Sequence, residues 1–280
     1  MTKLILDTNV WYEISEGRRD ANSLRACGNR LIAIPTGILE IASPQPEEKR
    51  DTWPKRRGAA TAILQYADDI ANDTESHLAT LWGVQPHYKG PLWHDICEIV
   101  SESESRTMAE SGVVNQLKRA RTSLKVSVIQ DWRQAHWKEF ASEVEDAIEQ
   151  HVPGYKMARA EGKYTKLPRN RRAQFRSALY SEEVRRVFVE STFLRALPDD
   201  ANARVPTREE YARAEPLVTP YVDAYVEYVY GCATSFAPQP NDFGDCECFY
   251  YLQGDSMLVT REKRWSAIAK KVCPSRYFNG

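Results

Sequence analysis

The sequence predicts an α/β protein with strands at both ends of the chain and a helical middle. Two short apolar runs, residues 3–6 and 31–34, lie near the start, and each is followed by a helical pattern. A third run, residues 256–260, lies near the end and precedes one more helix. From about residue 91 to 230 nothing needs to be a strand. Strand, helix, strand, helix is the opening of an α/β unit.

Each element has a local reason. Residues 3–6 are apolar and stop at Asp7-Thr8-Asn9. Residues 11–27 read as a helix with polar gaps. The run 31–34 stops at Pro35-Thr36, and Thr36 is placed to cap a helix over 37–42 that carries Glu40. Pro44 and Pro46 mark a loop. A long helical stretch over 47–73 follows, with Pro54 and Gly58 as candidate breaks. Residues 110–150 place Val113, Leu117, Leu124, Val128, Trp132, Phe140, Val144 and Ile148 near one helical face. Pro153-Gly154 ends that stretch. Residues 171–197 and 209–232 form two further helices, the second interrupted at Pro216 and Pro220. Residues 241–251 are an acid-rich helix start, Gly254-Asp255 a turn, and residues 265–271 the last helix.

Composition excludes several classes. Basic side chains number 38 and acidic ones 39, so the net charge is -1. That rules out a uniformly basic nucleic-acid coat but leaves room for a local basic surface. No run of eighteen apolar residues exists, so no membrane span is expected. The N-terminal run Leu4-Ile5-Leu6 is cut short by Asp7 and does not read as a signal peptide. None of the six cysteines forms CxxC, and the histidines are scattered. Reduced thiols in a cytoplasmic protein are expected rather than a zinc site.

Acidic residues follow the strands. Asp7 closes the first apolar run, and Glu262 lies just beyond Val259-Thr260. Strand carboxyl ends form the ligand crevice of a parallel sheet. Glu40 sits in the helix after the second run, and Asp242 and Asp245 share a face of one helical turn. Converging carboxylates raise one another's pKa. Mg²⁺ or Mn²⁺ relieves that conflict through oxygen ligands, and it activates water and stabilises a phosphoryl transition state. The plain alternative for each acid alone is a helix cap or a solvated group. His94-Asp95 is the best rival catalytic pair, but adjacent helical residues do not face each other.

Four stretches together resemble the PIN-domain ribonucleases: LILDTNVW at 4–11, PTGILEI at 35–41, NDFGDCECFYYL at 241–252 and MLVTREKRW at 257–265. They are similar to the family's first-strand Asp followed by Thr-Asn, its second-helix Glu, its third acidic position and its closing strand-Thr-x-acid motif. The resemblance implies a three-layer α/β/α fold around a central parallel sheet, and a Mg²⁺- or Mn²⁺-dependent ribonuclease. Carried over, Asp7 and Asp245 are the central metal ligands, Glu40 flanks them and Glu262 fills the fourth acidic position. Asp242 replaces or assists Asp245. Thr260 matches the hydroxyl beside the fourth acid, and Asn9 and Thr8 orient Asp7 or a metal-bound water. Glu262 departs from the pattern, which usually has Asp there. Its extra methylene loosens the placement and leaves direct or water-mediated ligation open. The implied reaction is in-line attack of water on phosphorus, leaving a 5′-phosphate and a 3′-hydroxyl.

The resemblance also fixes the expected organisation. The first acids precede residue 41 and the last follow residue 241, so one pocket needs both ends of the chain. The core is expected from residues 1–90 and 233–280, with a helical insertion over 91–232.

Substrate contact is expected within that insertion. Lys156, Arg159, Lys163, Lys166, Arg169, Arg171, Arg172 and Arg176 have only Glu161 against them in sequence, and Tyr155, Tyr164 and Phe175 are interleaved. Such a segment suits single-stranded or looped RNA through phosphate contact and stacking. Its alternative is a solvated loop and helix face. Trp11, Trp82, Trp93, Trp132, Trp137 and Trp265 are expected in the core or an interface. Tyr221, Tyr225, Tyr228 and Tyr230 are expected to pack the insertion on the core or to bury a homo-oligomer contact. The expected function is an endoribonuclease acting on RNA, as the toxin of a toxin–antitoxin pair or a defence nuclease. An antitoxin or regulatory protein is then a partner. The competing readings are a PIN-fold RNA-binding or scaffold protein with little catalysis, and a flap-type DNA nuclease.

Overall fold

Four short parallel strands make one sheet: β1 (Lys3–Leu6), β2 (Arg30–Ala33), β3 (Asp69–Ile70) and β4 (Ser256–Val259), in the order β3-β2-β1-β4. The computed structural model describes residues 1–43, 52–85, 93–120, 129–162, 166–197, 204–239 and 241–278, with backbone alone at 120 and 129–137. Pro44, Pro46, Leu124, Val128, Lys163 and Tyr164 lie outside these residues, as do the side chains of Trp132 and Trp137. β1 sets Lys3 opposite Arg30 of β2 on one side and opposite Ser256 of β4 on the other. The two ends of the chain therefore meet at β1.

Period-two alternation explains the layers. Leu4, Leu6, Leu31, Ala33 and Val259 face one apolar cluster, while Ile5, Ile32 and Leu258 face another. A sheet apolar on both faces needs cover on both. Among the described residues the cover is helical. The helices are α1 (Thr8–Ser15), α2 (Ala21–Arg25), α3 (Pro35–Ala42), α4 (Trp53–Tyr66), α5 (Thr74–Trp82), α6 (Trp93–Glu102) and α7 (Arg106–Ala120). There follow α8 (Ile129–His151), α9 (Tyr155–Ala160), α10 (Arg169–Leu179), α11 (Glu182–Ala196), α12 (Arg208–Thr234), α13 (Asp242–Glu247) and α14 (Lys263–Val272). Helices α1 to α4, α6 and α7 cover the face of Leu4 and Leu6, and α5 and α8 to α14 cover the face of Ile5. The expected insertion thus supplies much of both layers rather than a lobe apart.

Several boundaries differ from the sequence reading, each for a local reason. Residues 11–27 do not form one helix. Gly17 turns the chain at φ +68°, and Asp20 caps α2 by accepting from the Asn22 N–H at 2.9 Å. Pro35 itself opens α3, so Ile34 and not Thr36 is the cap residue. Pro54 likewise begins α4 instead of breaking it, because the first turn needs no N–H there. Residues 171–197 divide at Ser181, whose hydroxyl caps α11.

Helix α12 runs unbroken through Pro216 and Pro220. Each proline costs about 3 kcal/mol in a helix interior. Burial of Val218, Val222, Tyr225, Val226, Tyr228 and Val229 outweighs that cost, at about 1.5–3 kcal/mol per large apolar side chain. The expected tyrosine packing is seen here: Tyr221 stacks on Tyr250 with ring centroids 3.7 Å apart, and Tyr228 on Trp265 at 5.1 Å. Trp11, Trp82, Trp93 and Trp265 are buried. No described helix is long and apolar enough to cross a membrane.

Candidate active site

Asp7 leaves β1 and caps α1, beside the carboxyl end of β4. Neighbours of β1 come from both ends of the chain, so the sheet order reverses there and opens the crevice that ligands use. The Asp7 carboxylate accepts from the Val10 N–H at 2.9 Å, from the Arg261 N–H at 3.3 Å and from the Thr260 hydroxyl. Its residue is only 3% exposed. Burial outweighs those hydrogen bonds and, with a contribution from the Glu40 charge, pushes the Asp7 carboxyl up to about 6.

Glu40 stands in the last turn of α3 and is half-buried. Its Oε2 accepts from the Thr8 hydroxyl at 2.7 Å. Gly37 makes that bond sterically easy, since a Cβ there would lie 3.2 Å from Thr8 Oγ1. Buried Arg56 donates to the Glu40 and Ile41 carbonyls and so satisfies the carboxyl end of α3.

The two acids of α13 have different surroundings. Asp242 is buried and fully engaged: it accepts from the Tyr228 hydroxyl at 2.6 Å, from the Gln239 N–H at 2.7 Å and from the Arg264 guanidinium at 2.7 and 2.5 Å. Asp245 has no such partner among the described residues. Burial, then the charges of Glu40, Asp7, Asp242 and Glu262, hold its carboxyl well above the usual range. Glu262 caps α14 and is half-buried, and its N–H donates to Thr260 Oγ1 at 3.0 Å. Thr260 thereby ties Asp7 to Glu262.

The structure brings Asp7, Glu40, Asp245, Glu262 and Thr260 together and sets Asn9 aside. Asn9 is exposed. Orientation of Asp7 falls to Thr260 and two N–H groups, and Thr8 serves Glu40 rather than Asp7. Gly37, Arg56 and Arg264 escaped the sequence reading. None of the three is an acid, so none carried a visible signal.

The donor set is all oxygen, which suits Mg²⁺ or Mn²⁺. No three of these acids place an oxygen each within 4.8 Å of one another among the described residues. The described group that does is His94, Asp95 and Glu98 on α6, and exposed acids often cluster so without an ion. Repulsion spreads uncompensated carboxylates. Mg²⁺ moreover uses one or two carboxylates and keeps several waters, so the oxygen donors suit such an ion without a tight cluster of three.

The basic segment is divided. Helix α8 folds its acids against the first part: Asp146 pairs with Lys156, and Glu145 with Arg159 at 2.6 Å. Sequence order hid these partners, which precede the segment. Tyr155 and Phe175 are buried in the core, which overturns the stacking role expected of them. Arg172 donates to Leu167 O at 3.0 Å and Thr234 O at 3.4 Å, fastening α10 to the end of α12. Lys166, Arg169, Arg171 and Arg176 stay exposed. Lys163 lies outside the described residues.

Comparison of the chain with protein-family models, with curated proteins and with solved structures returns no match.

Proposed function

We propose that this chain is a Mg²⁺- or Mn²⁺-dependent endoribonuclease with a PIN-like three-layer core, a cytoplasmic toxin or defence nuclease. The observation that carries the reading is the Asp245 carboxyl. Three acids from separate segments, Asp7 after β1, Glu40 on α3 and Glu262 after β4, act on its charge together with Asp242 of its own helix. Such a site favours a hard cation over any arrangement of protons and carboxylates alone.

In this reading Asp7 and Asp245 hold the cation, Glu40 flanks it, and Glu262 reaches it directly or through water. Asp242 is assigned to the fold instead, because Tyr228, Gln239 and Arg264 occupy its oxygens. When bound, the cation supplies an acidic water and offsets charge on the phosphate. Thr8 aims Glu40, and Thr260 aims Asp7. RNA phosphates lie on Lys166, Arg169, Arg171 and Arg176, the cations of the segment left exposed. The products are a 5′-phosphate and a 3′-hydroxyl, and an antitoxin or regulatory protein restrains the activity.

Incubation of the chain with single-stranded RNA and Mn²⁺ tests this. Cleavage is expected, and Asp7→Asn and Asp245→Asn abolish it. RNA binding without cleavage under any divalent ion would support the scaffold instead, and preference for branched DNA a flap-type nuclease.

A further inference from the structure

Thr36 carries a hydroxyl that the fold leaves unpaired. Its Oγ1 is enclosed and has no hydrogen-bond partner among the described residues. Other helical threonines solve this locally: Thr61, Thr80, Thr219 and Thr234 each donate to the carbonyl four residues back. Thr36 stands in the first turn of α3, where no preceding turn offers such a carbonyl. Leaving a buried hydroxyl unpaired is costly, so each instance calls for a missing partner.

Its position says which partner. Thr36 and Glu40 are four apart on α3 and share a face. Across from it lies Gly244, next to Asp245; a Cβ on Gly244 would sit 3.8 Å from Thr36 Cβ. The Thr36 side chain therefore stands where the helix of Glu40 meets the helix of Asp245. A hydroxyl donates one hydrogen bond and accepts others, which suits a water that is itself polarised.

We infer that Thr36 is a positioning residue whose hydroxyl binds a water of the cation that Asp7 and Asp245 hold and Glu40 flanks. The inference rests on the metal-dependent reading above. Groups that orient metal ligands typically alter affinity about 10- to 100-fold when removed.

The test is titration of the full chain with Mn²⁺, read by the electron paramagnetic resonance of the free ion, with the unfolding midpoint measured in metal-free buffer. Thr36→Val is isosteric and lacks the hydroxyl. It is expected to weaken Mn²⁺ binding about 10-fold or more without lowering the metal-free midpoint. Thr36→Ser is expected to keep the parent affinity, and Thr36→Ala serves as a second hydroxyl-free variant. Parent-like Mn²⁺ affinity in both hydroxyl-free variants overturns the inference, with or without a lower midpoint. A parent chain that binds no Mn²⁺ overturns the metal-dependent reading, and this inference with it.

Discussion

Thr8 donates its hydroxyl hydrogen bond to Glu40 Oε2 at 2.7 Å, so the residue after one acid holds the next. That bond joins the end of β1 to α3 and fixes a side chain that has three torsions of its own. Thr8→Val removes the donor at constant shape. Mn²⁺ affinity and RNA cleavage are expected to fall about 10- to 100-fold, while stability falls by about 1 kcal/mol. Thr8→Ser restores both. Unchanged Mn²⁺ binding in Thr8→Val would show that Glu40 needs no such support.

The two acids of α13 predict opposite stability changes. Asp242 answers the half-buried Arg264 guanidinium, and its removal strands that cation. Asp242→Asn is expected to cost about 3 kcal/mol, or a fall in unfolding midpoint of about 2–4 °C for each kcal/mol in a chain of this size. Asp245 is instead a carboxyl raised by burial and then by like charge. Asp245→Asn raises the midpoint of the metal-free chain and cancels the stabilisation that Mn²⁺ gives the parent. Thermal melts with and without Mn²⁺ measure both. Destabilisation by both variants alike would remove the distinction drawn between the two acids.

What the sequence could reveal follows from how local each cause is. Strand ends and the acids after them were legible, because Leu4 to Leu6 and Met257 to Val259 are apolar runs with Asp7 and Glu262 just beyond. The α/β class was legible for the same reason. β3 was not, since two residues carry no pattern. The unbroken course of α12 was hidden because tertiary burial overrides two prolines. The choice between Asp242 and Asp245 was hidden because it depends on Tyr228 and Arg264, which α12 and α14 bring from opposite sides of the motif. The neutralised half of the basic segment was hidden because its acids sit on α8.

Glu247 anchors the helical layer to the same region. It is 2% exposed, pairs with Arg195 of α11 and accepts from the Thr74 hydroxyl at 3.0 Å, while Arg195 also reaches Glu75 at 3.3 Å. Burial pushes the Glu247 carboxyl up despite the guanidinium beside it. Arg195→Met leaves that carboxylate buried with Thr74 alone. A loss of about 3–5 kcal/mol is expected in urea unfolding. The double variant Arg195→Met, Glu247→Gln recovers part of it, because the stranded charge is gone. A double-mutant cycle without coupling would deny the pair any structural weight.

The pH dependence of stability isolates Asp7. Its folded value, about 6, lies above the ordinary 3.8, so the folded state holds the proton more tightly than the unfolded chain. The sign follows: the protonated carboxyl favours folding below pH 3.8, and that contribution is lost as pH rises through about 6. The difference is about 3 kcal/mol. Other groups titrate too, so the measure is the parent against Asp7→Asn, which cannot titrate there. Between pH 7.5 and pH 4 the parent is expected to gain up to about 3 kcal/mol relative to Asp7→Asn in metal-free buffer. Saturating Mn²⁺ at pH 7.5 reproduces that gain by supplying the positive charge in place of the proton, by about 2.7 kcal/mol at a hundred times its Kd. A parent-to-variant difference flat across pH would mean that Asp7 is not held under stress, and the case for a cation at its carboxylate would go with it.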